Sequence, residues 1–186
     1  MNIPKIIAIC GAKRSGKDTL ARIISEEYGF EHVKISQKLK DVCKILFNLN
    51  DDQIENDSKE QIDVRWGITP RKIMQFMGTE MMQYKLQEIL PSVGKKFWIN
   101  SLLETMKDDK RYVISDLRFL HEYHEIRKKG GIIVRIEDLS LTDNDSHISE
   151  NEFKEIPCDL VIDNTEKNMS NLRQKFADYY SNATVL

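Results

Sequence analysis

KIIAICGAKRSGKDTLARIISEEYG, Lys5 to Gly29, joins a β-branched apolar run of strand length to a helical pattern through a glycine-bounded turn. Leu20, Ile23, Ile24 and Tyr28 share one helical face, and Gly29 supplies the stop. Between strand and helix, Gly11, Gly16 and Lys17 satisfy G-x-x-x-x-G-K, a pattern whose backbone N–H groups and helix N-terminus surround a phosphate. Short matches of this kind also arise by chance in ligand-free turns. The position between a strand and a helix is what points to phosphate binding, with Lys17 reaching the β- and γ-phosphates. Asp18 stands where such loops carry a Ser or Thr for magnesium. Thr19 is no direct substitute, because one helical step rotates a side chain by about 100°. A carboxylate is itself a hard oxygen ligand acceptable to Mg²⁺, directly or through water, and Lys13, Arg14 and Lys17 offset its charge.

Outward from this unit, short apolar runs alternate with helical patterns, the rhythm of an α/β domain with a parallel sheet. EHVKIS predicts a short second strand leading into the helix QKLKDVCKILFNL; RYVISDL, IIVRIE and CDLVIDN predict three more strands, with HEYHEIRKKGG and MSNLRQKFADYY as helices. Right-handed crossovers place the five strands in one sheet covered on both faces, with ligands at the C-terminal strand ends. Residues 51 to 107 read as helical, with Thr69 as N-cap and Pro70 at the first position of a helix running to Pro91. The polar stretch after Asp138 carries little pattern.

A chain of 186 residues fits one domain with a substantial core. A net charge of -2 provides no global field for nucleic acid or anionic membrane, so small molecules are the expected partners. Three cysteines without C-x-x-C spacing argue against a disulfide framework or a zinc site and suit a reducing cytosol. No apolar run reaches the length of a membrane span, and the N-terminal one is too short for a signal peptide, so a cytoplasmic protein is expected.

Asp116 closes the VISD strand, where a phosphate-binding protein of this kind keeps a second magnesium-supporting acid; a turn or cap role is the alternative. Arg118, two residues on, is placed to clamp an anion or to form a surface ion pair. In TPRKIMQFMGTEMMQ, Arg71, Gln75 and Thr79 recur every four residues, and Gly78 costs roughly 1 kcal/mol inside a helix unless something approaches closely. This helix either packs its methionines in the core behind a polar face, or presents Arg71 to a phosphate and Gln75 to a base edge. No His pair has metal-ligand spacing, and no Ser/His/Asp or Cys/His set marks a nucleophile.

Taken together, GAKRSGKDTLA, KISQKLKDVCKILF, TPRKIMQFMGTE, FWINSLL, VISDLRFLHE, HISE and CDLVIDN resemble, in order from residue 5 to about residue 180, the deoxynucleoside monophosphate kinases of tailed phages and large DNA viruses. The resemblance implies a P-loop NTPase fold of the NMP-kinase type. Its core would be residues 1–50 and 108–186, with a helical acceptor-binding insertion over 51–107 and a short lid over 137–157. It implies transfer of the γ-phosphate of ATP, with Mg²⁺, to a deoxynucleoside 5′-monophosphate, in host cytoplasm if the source is viral, and a possible homodimer. Position by position, Gly11, Lys13, Arg14, Ser15, Gly16, Lys17, Asp18 and Thr19 would hold ATP, bordered by His147 and Glu150. Lys40, Arg71, Gln75, Gly78, Thr79, Glu80 and Arg118 would line the acceptor site. Lys17, Asp116 and Arg118 would be catalytic, and Asp18 and Asp116 would serve the metal. Relatives often carry an arginine shortly after Gly-Thr-Glu; here the chain reads GTEMMQYK, leaving Arg65 or Lys85 as replacements. Phosphomevalonate kinases share the SGKD loop but lack the G-T-E helix. A nucleotide-binding switch would want N-K-x-D, which DNTEK from Asp163 does not satisfy.

Overall fold

The computed structural model describes residues 4–141 and 152–185. The chain divides into two compact units, one made of Met1–Lys34 with Thr105–Leu186 and the other of Ile35–Glu104.

In the first unit, strands β1 (Ile6–Gly11), β2 (Glu31–Val33), β3 (Tyr112–Ile114), β4 (Ile132–Glu137) and β5 (Leu160–Asp163) form one sheet in the order β2-β3-β1-β4-β5. Every pairing is parallel, as expected when each return crosses over rather than turning back. Helix α1 (Lys17–Tyr28) follows β1. All of Ile6 to Cys10 is buried, so both faces of the central strand are covered, which is why this strand reads as a continuous apolar run. Ile7 and Ile9 pack with Leu20, Ile23 and Ile24 of α1 and with Leu172 and Phe176 of the C-terminal helix Met169–Val185. On the opposite face, a Cβ placed on Gly131 would meet Ile126 of the helix Leu120–Lys128 at 2.5 Å and Ile6 at 3.3 Å. Gly29 ends α1 in the left-handed conformation, φ 71°, with its N–H on the Ser25 carbonyl. Cys10, Cys43 and Cys158 are free thiols. Among the described residues no helix is long and apolar enough to cross a membrane.

The second unit is helical. Helix α2 (Gln37–Phe47) and helix α3 (Asp51–Glu55) are joined through Asn50, whose side chain accepts the Gln53 N–H at 2.9 Å while Gln53 Oε1 accepts the Asn50 N–H. This reciprocal cap satisfies two donors that a helix start leaves open. Thr69 caps helix α4 (Pro70–Gln75) as its position before Pro70 predicts, accepting the Lys72 N–H at 3.2 Å. Cys43, Leu49, Ile54 and Ile73 form the core here, with Met74 and Met77 against it.

The single helix expected from Thr69 to Pro91 is not formed. After Gln75 the chain widens into a π-helix over Phe76–Tyr84 and then tightens to a 3₁₀ turn over Lys85–Glu88. At its end the Lys85 N–H reaches the Glu80 carbonyl, an i→i+5 bond. Gly78 lies inside this segment. A Cβ there would come within 2.6 Å of Leu39 of α2, and its carbonyl accepts the indole N–H of buried Trp98 at 2.9 Å. The close approach that would justify a helical glycine is therefore to Leu39. Apolar periodicity marks a helix here but carries no signal for the extra residue per turn.

Candidate active site

The loop between β1 and α1 is built around two glycines that no other residue could replace. Gly11 sits at φ 144°, and a Cβ there would stand 2.3 Å from the Ile136 carbonyl oxygen; Gly16 sits at φ 108°, where a Cβ would meet Asn164 Nδ2 at 2.5 Å. Arg14 is also left-handed, φ 65°. Left-handed turns in succession aim backbone N–H groups into one concavity, and the N-terminus of α1 opens onto it. Lys17 is buried and its Nζ donates to the Ala12 carbonyl at 2.5 Å, spanning the loop. The Ser15 hydroxyl is fully buried with no hydrogen-bond partner among the described residues, a cost of about 1–3 kcal/mol that an anion in the loop would offset. Lys13, Arg14 and Asp18 are exposed around it, and Thr19 is half-buried.

The loop's carbonyls are tied down by residues that follow β5 at the same C-terminal strand ends. Asn164, just past β5 and itself buried, donates through Nδ2 to the Ser15 carbonyl at 2.8 Å, while its N–H bonds the Glu137 carbonyl at 2.8 Å. Lys167 donates to the Arg14 carbonyl at 2.8 Å and pairs with buried Asp138. These bonds fix the Arg14 and Ser15 carbonyls, and the Ser15 N–H closes the turn on the Ala12 carbonyl at 3.2 Å. Sequence reading missed Asn164, Asp138 and Lys167. The string DNTEK drew attention only as a failed guanine motif, and nothing in it announces a bond to a loop about 150 residues earlier.

Asp18 opens α1 and its carboxylate is fixed through Oδ1, which accepts from Ser115 Oγ at 3.0 Å and pairs with Lys34 Nζ at 2.8 Å. Burial pushes the carboxyl up, but Lys34, Ser115 and Lys17 together outweigh it and hold Asp18 below the usual carboxylate range. Ser115 also meets His32 Nε2 at 2.8 Å. The topology explains this meeting. β3 lies between β1 and β2, and Lys34 and Ser115 directly follow the paired residues Val33 and Ile114. Both therefore emerge at the C-terminal strand ends beside the phosphate loop, where sheets of this kind bind ligands. Lys34, Ser115 and His32 were not singled out in the sequence; a lysine just past a three-residue edge strand is visible as a candidate only once strand order is known.

Asp116 follows Ser115 beyond β3, and its charge, with that of Asp18, acts on the His32 ring. The Arg118 backbone is held by buried Glu122, whose Oε2 accepts the N–H groups of Arg118 at 2.9 Å and Phe119 at 3.1 Å. Burial, joined by the Asp116 charge and opposed by the two N–H bonds and Arg118, pushes Glu122 up to about 8. Among the described residues no three His, Cys, Asp or Glu side chains gather to hold a metal alone. Asp18 and Asp116 fit Mg²⁺ in the way it is commonly bound, by one or two carboxylates with the phosphates it accompanies.

In the second unit the two candidate cations for the acceptor are each held by an acid. Lys40 on α2 pairs with Glu55 at 2.6 Å, and Arg71 on α4 pairs with Glu60 at 2.7 Å; the Lys40 and Arg71 side chains are only 15% and 18% exposed. Gln75 ends α4 half-buried, Thr79 is buried, Glu80 is half-buried, and Gly78 has the packing role given above. Arg65 is committed to buried Asp63 through Nε at 2.9 Å and Nη2 at 2.5 Å, and to the Asn48 carbonyl at 3.0 Å. Lys85 is exposed and paired with Glu88 at 2.9 Å. His147 and Glu150 lie within residues 142–151 of the 137–157 segment, outside the described residues.

Comparison with known proteins places this architecture. Among solved structures, a shikimate kinase from Aquifex aeolicus superposes with a TM-score of 0.56 at 13% identity over 96% of this chain and 98% of that one. A gluconokinase from Sinorhizobium meliloti 1021 superposes with a TM-score of 0.53 at 10% identity over 98% and 95%. At such identities the likeness establishes the fold, that of P-loop kinases. A protein of Acanthamoeba polyphaga mimivirus, provisionally described as a deoxynucleotide monophosphate kinase, is 35% identical over 173 residues, covering 87% of this chain and 89% of that one. Residues 5–62 and 50–176 match the family model for deoxynucleotide monophosphate kinase. A phosphate loop at the head of a five-stranded parallel sheet, with these matches along nearly its whole length, means that the chain belongs to the deoxynucleotide monophosphate kinase family.

Proposed function

We propose that the protein transfers the γ-phosphate of ATP to a deoxynucleoside 5′-monophosphate, producing ADP and the deoxynucleoside diphosphate. The observation that carries this reading is the braced phosphate loop with Lys17 at its base and the anchored Asp18 carboxylate beside it, in a chain of this family. The loop N–H groups and Lys17 bind and orient the donor phosphates. Asp18 and Asp116 are the residues that would hold Mg²⁺, which when bound neutralises charge on the β- and γ-phosphate oxygens. Arg118 steadies the transferring group, and Lys40 and Arg71 receive the acceptor phosphate, releasing Glu55 and Glu60 as they do so. Gln75, Thr79 and Glu80 are the polar groups left for the sugar and base. No general base is needed, because the second ionisation of a phosphomonoester lies near pH 6 and its oxygen is already a nucleophile at neutral pH. Catalysis reduces to alignment and charge neutralisation.

ADP release in a coupled assay, run against dGMP, dTMP, dCMP, dAMP, their ribonucleotides and phosphomevalonate, tests this reading. Turnover of at least one deoxynucleotide is expected. ATP binding without turnover of any acceptor, or turnover of phosphomevalonate alone, would overturn it.

A further inference from the structure

We propose that Ser115 and His32 are positioning residues for the phosphate-loop carboxylate: His32 Nε2–H donates to Ser115 Oγ, and the Ser115 hydroxyl donates to Asp18 Oδ1, so that Asp18 presents its other oxygen to the cation accompanying the nucleotide. The inference rests on the nucleotide-kinase reading for the cation, but the hydrogen-bond chain stands on geometry alone. Ser115 Oγ lies 2.8 Å from His32 Nε2 and 3.0 Å from Asp18 Oδ1. A hydroxyl has one proton to give. Asp18, facing Lys34 at 2.8 Å with Lys17 next in the chain, is a carboxylate and only accepts. The serine proton therefore goes to Asp18, and the contact with His32 requires the ring to be the donor. That fixes the neutral ring in its Nε2–H tautomer, and the direction of the chain is the same if the ring is protonated.

Ser115 is 1% exposed, so bulk water does not compete for its hydroxyl, and Oδ1 is where the described donors to Asp18 converge. The Asp18 side chain is otherwise 66% exposed. An exposed aspartate at the start of a helix samples several rotamers; two donors on one oxygen select a single one. The role filled in other phosphate loops by a short hydroxyl on the helix would here be shared between a carboxylate on α1 and a hydroxyl arriving from β3. β2 supplies His32 to fix that hydroxyl's direction.

Two measurements on the intact protein test the proposal. Nitrogen-15 NMR of the histidine rings, without nucleotide, is expected to show His32 as the Nε2–H tautomer, and this preference is expected to weaken in Ser115→Ala. Titration of Mg²⁺ against binding of a fluorescent ATP analogue is expected to show a midpoint raised roughly tenfold in Ser115→Ala, the scale of one hydrogen bond to a charged group. Binding in the absence of Mg²⁺ should change little. His32→Leu should raise the same midpoint by a smaller factor, and His32→Gln, which retains an N–H donor, should restore it. An Nδ1–H ring in the wild type, or an unchanged Mg²⁺ midpoint in folded Ser115→Ala and His32→Leu, would overturn the assignment. The ring tautomer is read without nucleotide or catalysis, so failure here is distinct from failure of the kinase reading, which would appear as no ADP release from the wild type with any acceptor.

Discussion

The unit containing the sheet and the helical unit over Ile35–Glu104 hold their candidate residues by different means. In the first, the phosphate loop is fixed by backbone: glycines at φ 144° and 108°, carbonyls tied to Asn164 and Lys167, and a carboxylate anchored on Ser115 and Lys34. In the second, Lys40 and Arg71 are held by exchangeable ion pairs with half-exposed Glu55 and Glu60, on helices beside a π-helical segment. A rigid cradle presents N–H dipoles that need no reorganisation when phosphate arrives. An ion pair near the surface is worth little by itself, so a dianionic phosphate can take the place of its acid. On the proposed function, the contrast is between a site built in advance and one completed by its ligand.

The largest expected effect tests the built site. Lys17→Ala should lower kcat by roughly 10²- to 10³-fold, the scale for loss of one donor aimed at developing charge, while thermal unfolding stays within a few degrees of wild type. Retained phosphotransfer in a folded Lys17→Ala protein would remove the loop from the mechanism. Arg71→Ala should act on the other side of the comparison. It is expected to raise KM for the deoxynucleotide by about 10- to 100-fold, from loss of one charge-assisted pair, with ATP affinity unchanged. If ATP affinity falls instead, the division of labour between the two units is wrong.

Asn164→Ala sharpens the claim that the cradle is braced from behind. Losing the bond to the Ser15 carbonyl should weaken ATP binding about tenfold, in line with one buried hydrogen bond, and should leave acceptor KM alone. Calorimetric titration of ATP into the variant, alongside acceptor saturation curves, reads both quantities. A smaller effect of opposite sign is expected in the second unit. Glu60→Gln removes the charge of the Glu60 partner of Arg71, so KM for the deoxynucleotide should fall by about two- to fivefold, the worth of an exposed ion pair. An increase in KM would mean that Glu60 aims Arg71 rather than merely occupying it.

The same contrast governs what was legible in the sequence. A β-branched run, a glycine-bounded loop and a helix ended by Gly29 are local signals, so the first strand, the phosphate loop and α1 lie where their residues predict. Thr69 and Pro70 likewise start α4 as their chemistry dictates. What was illegible depends on strand order or on packing between distant segments. Ser115 and Lys34 converge on Asp18 because β3 is sandwiched between β1 and β2. Asn164 reaches Ser15 because β5 ends near the loop's back. Within the π-helix, Gly78 meets Leu39 and Trp98, neither of which is near it in sequence.

Glu122 is a buried acid beside the built site, and it yields the smallest but most specific prediction. Burial raises its folded pKa to about 8 from an ordinary 4.5, so between those values the native state binds a proton that the unfolded chain has lost. Stability contributed by that proton is full below the ordinary value and drains away as pH rises through about 8. The lowered carboxylates Asp18, Asp52, Asp63 and Asp163 act near pH 4 and below, and His32, lowered by burial, acts below its ordinary 6.5. Cys158, held below its ordinary 9.0 by Cys10, acts in the opposite sense, so it is the difference between wild type and Glu122→Gln from pH 7 to 8 that isolates the carboxyl, whose slope approaches about 1.4 kcal/mol per pH unit. For a chain of this size that corresponds to a fall in Tm of about 2–4 °C. Glu122→Gln keeps an acceptor for the Arg118 and Phe119 N–H groups and should flatten the dependence, becoming the more stable protein at pH 8. If wild type and variant keep the same difference in Tm at both pH values, the carboxyl is already ionised in the fold. The Arg118 turn would then be held by a charge rather than by a neutral acid.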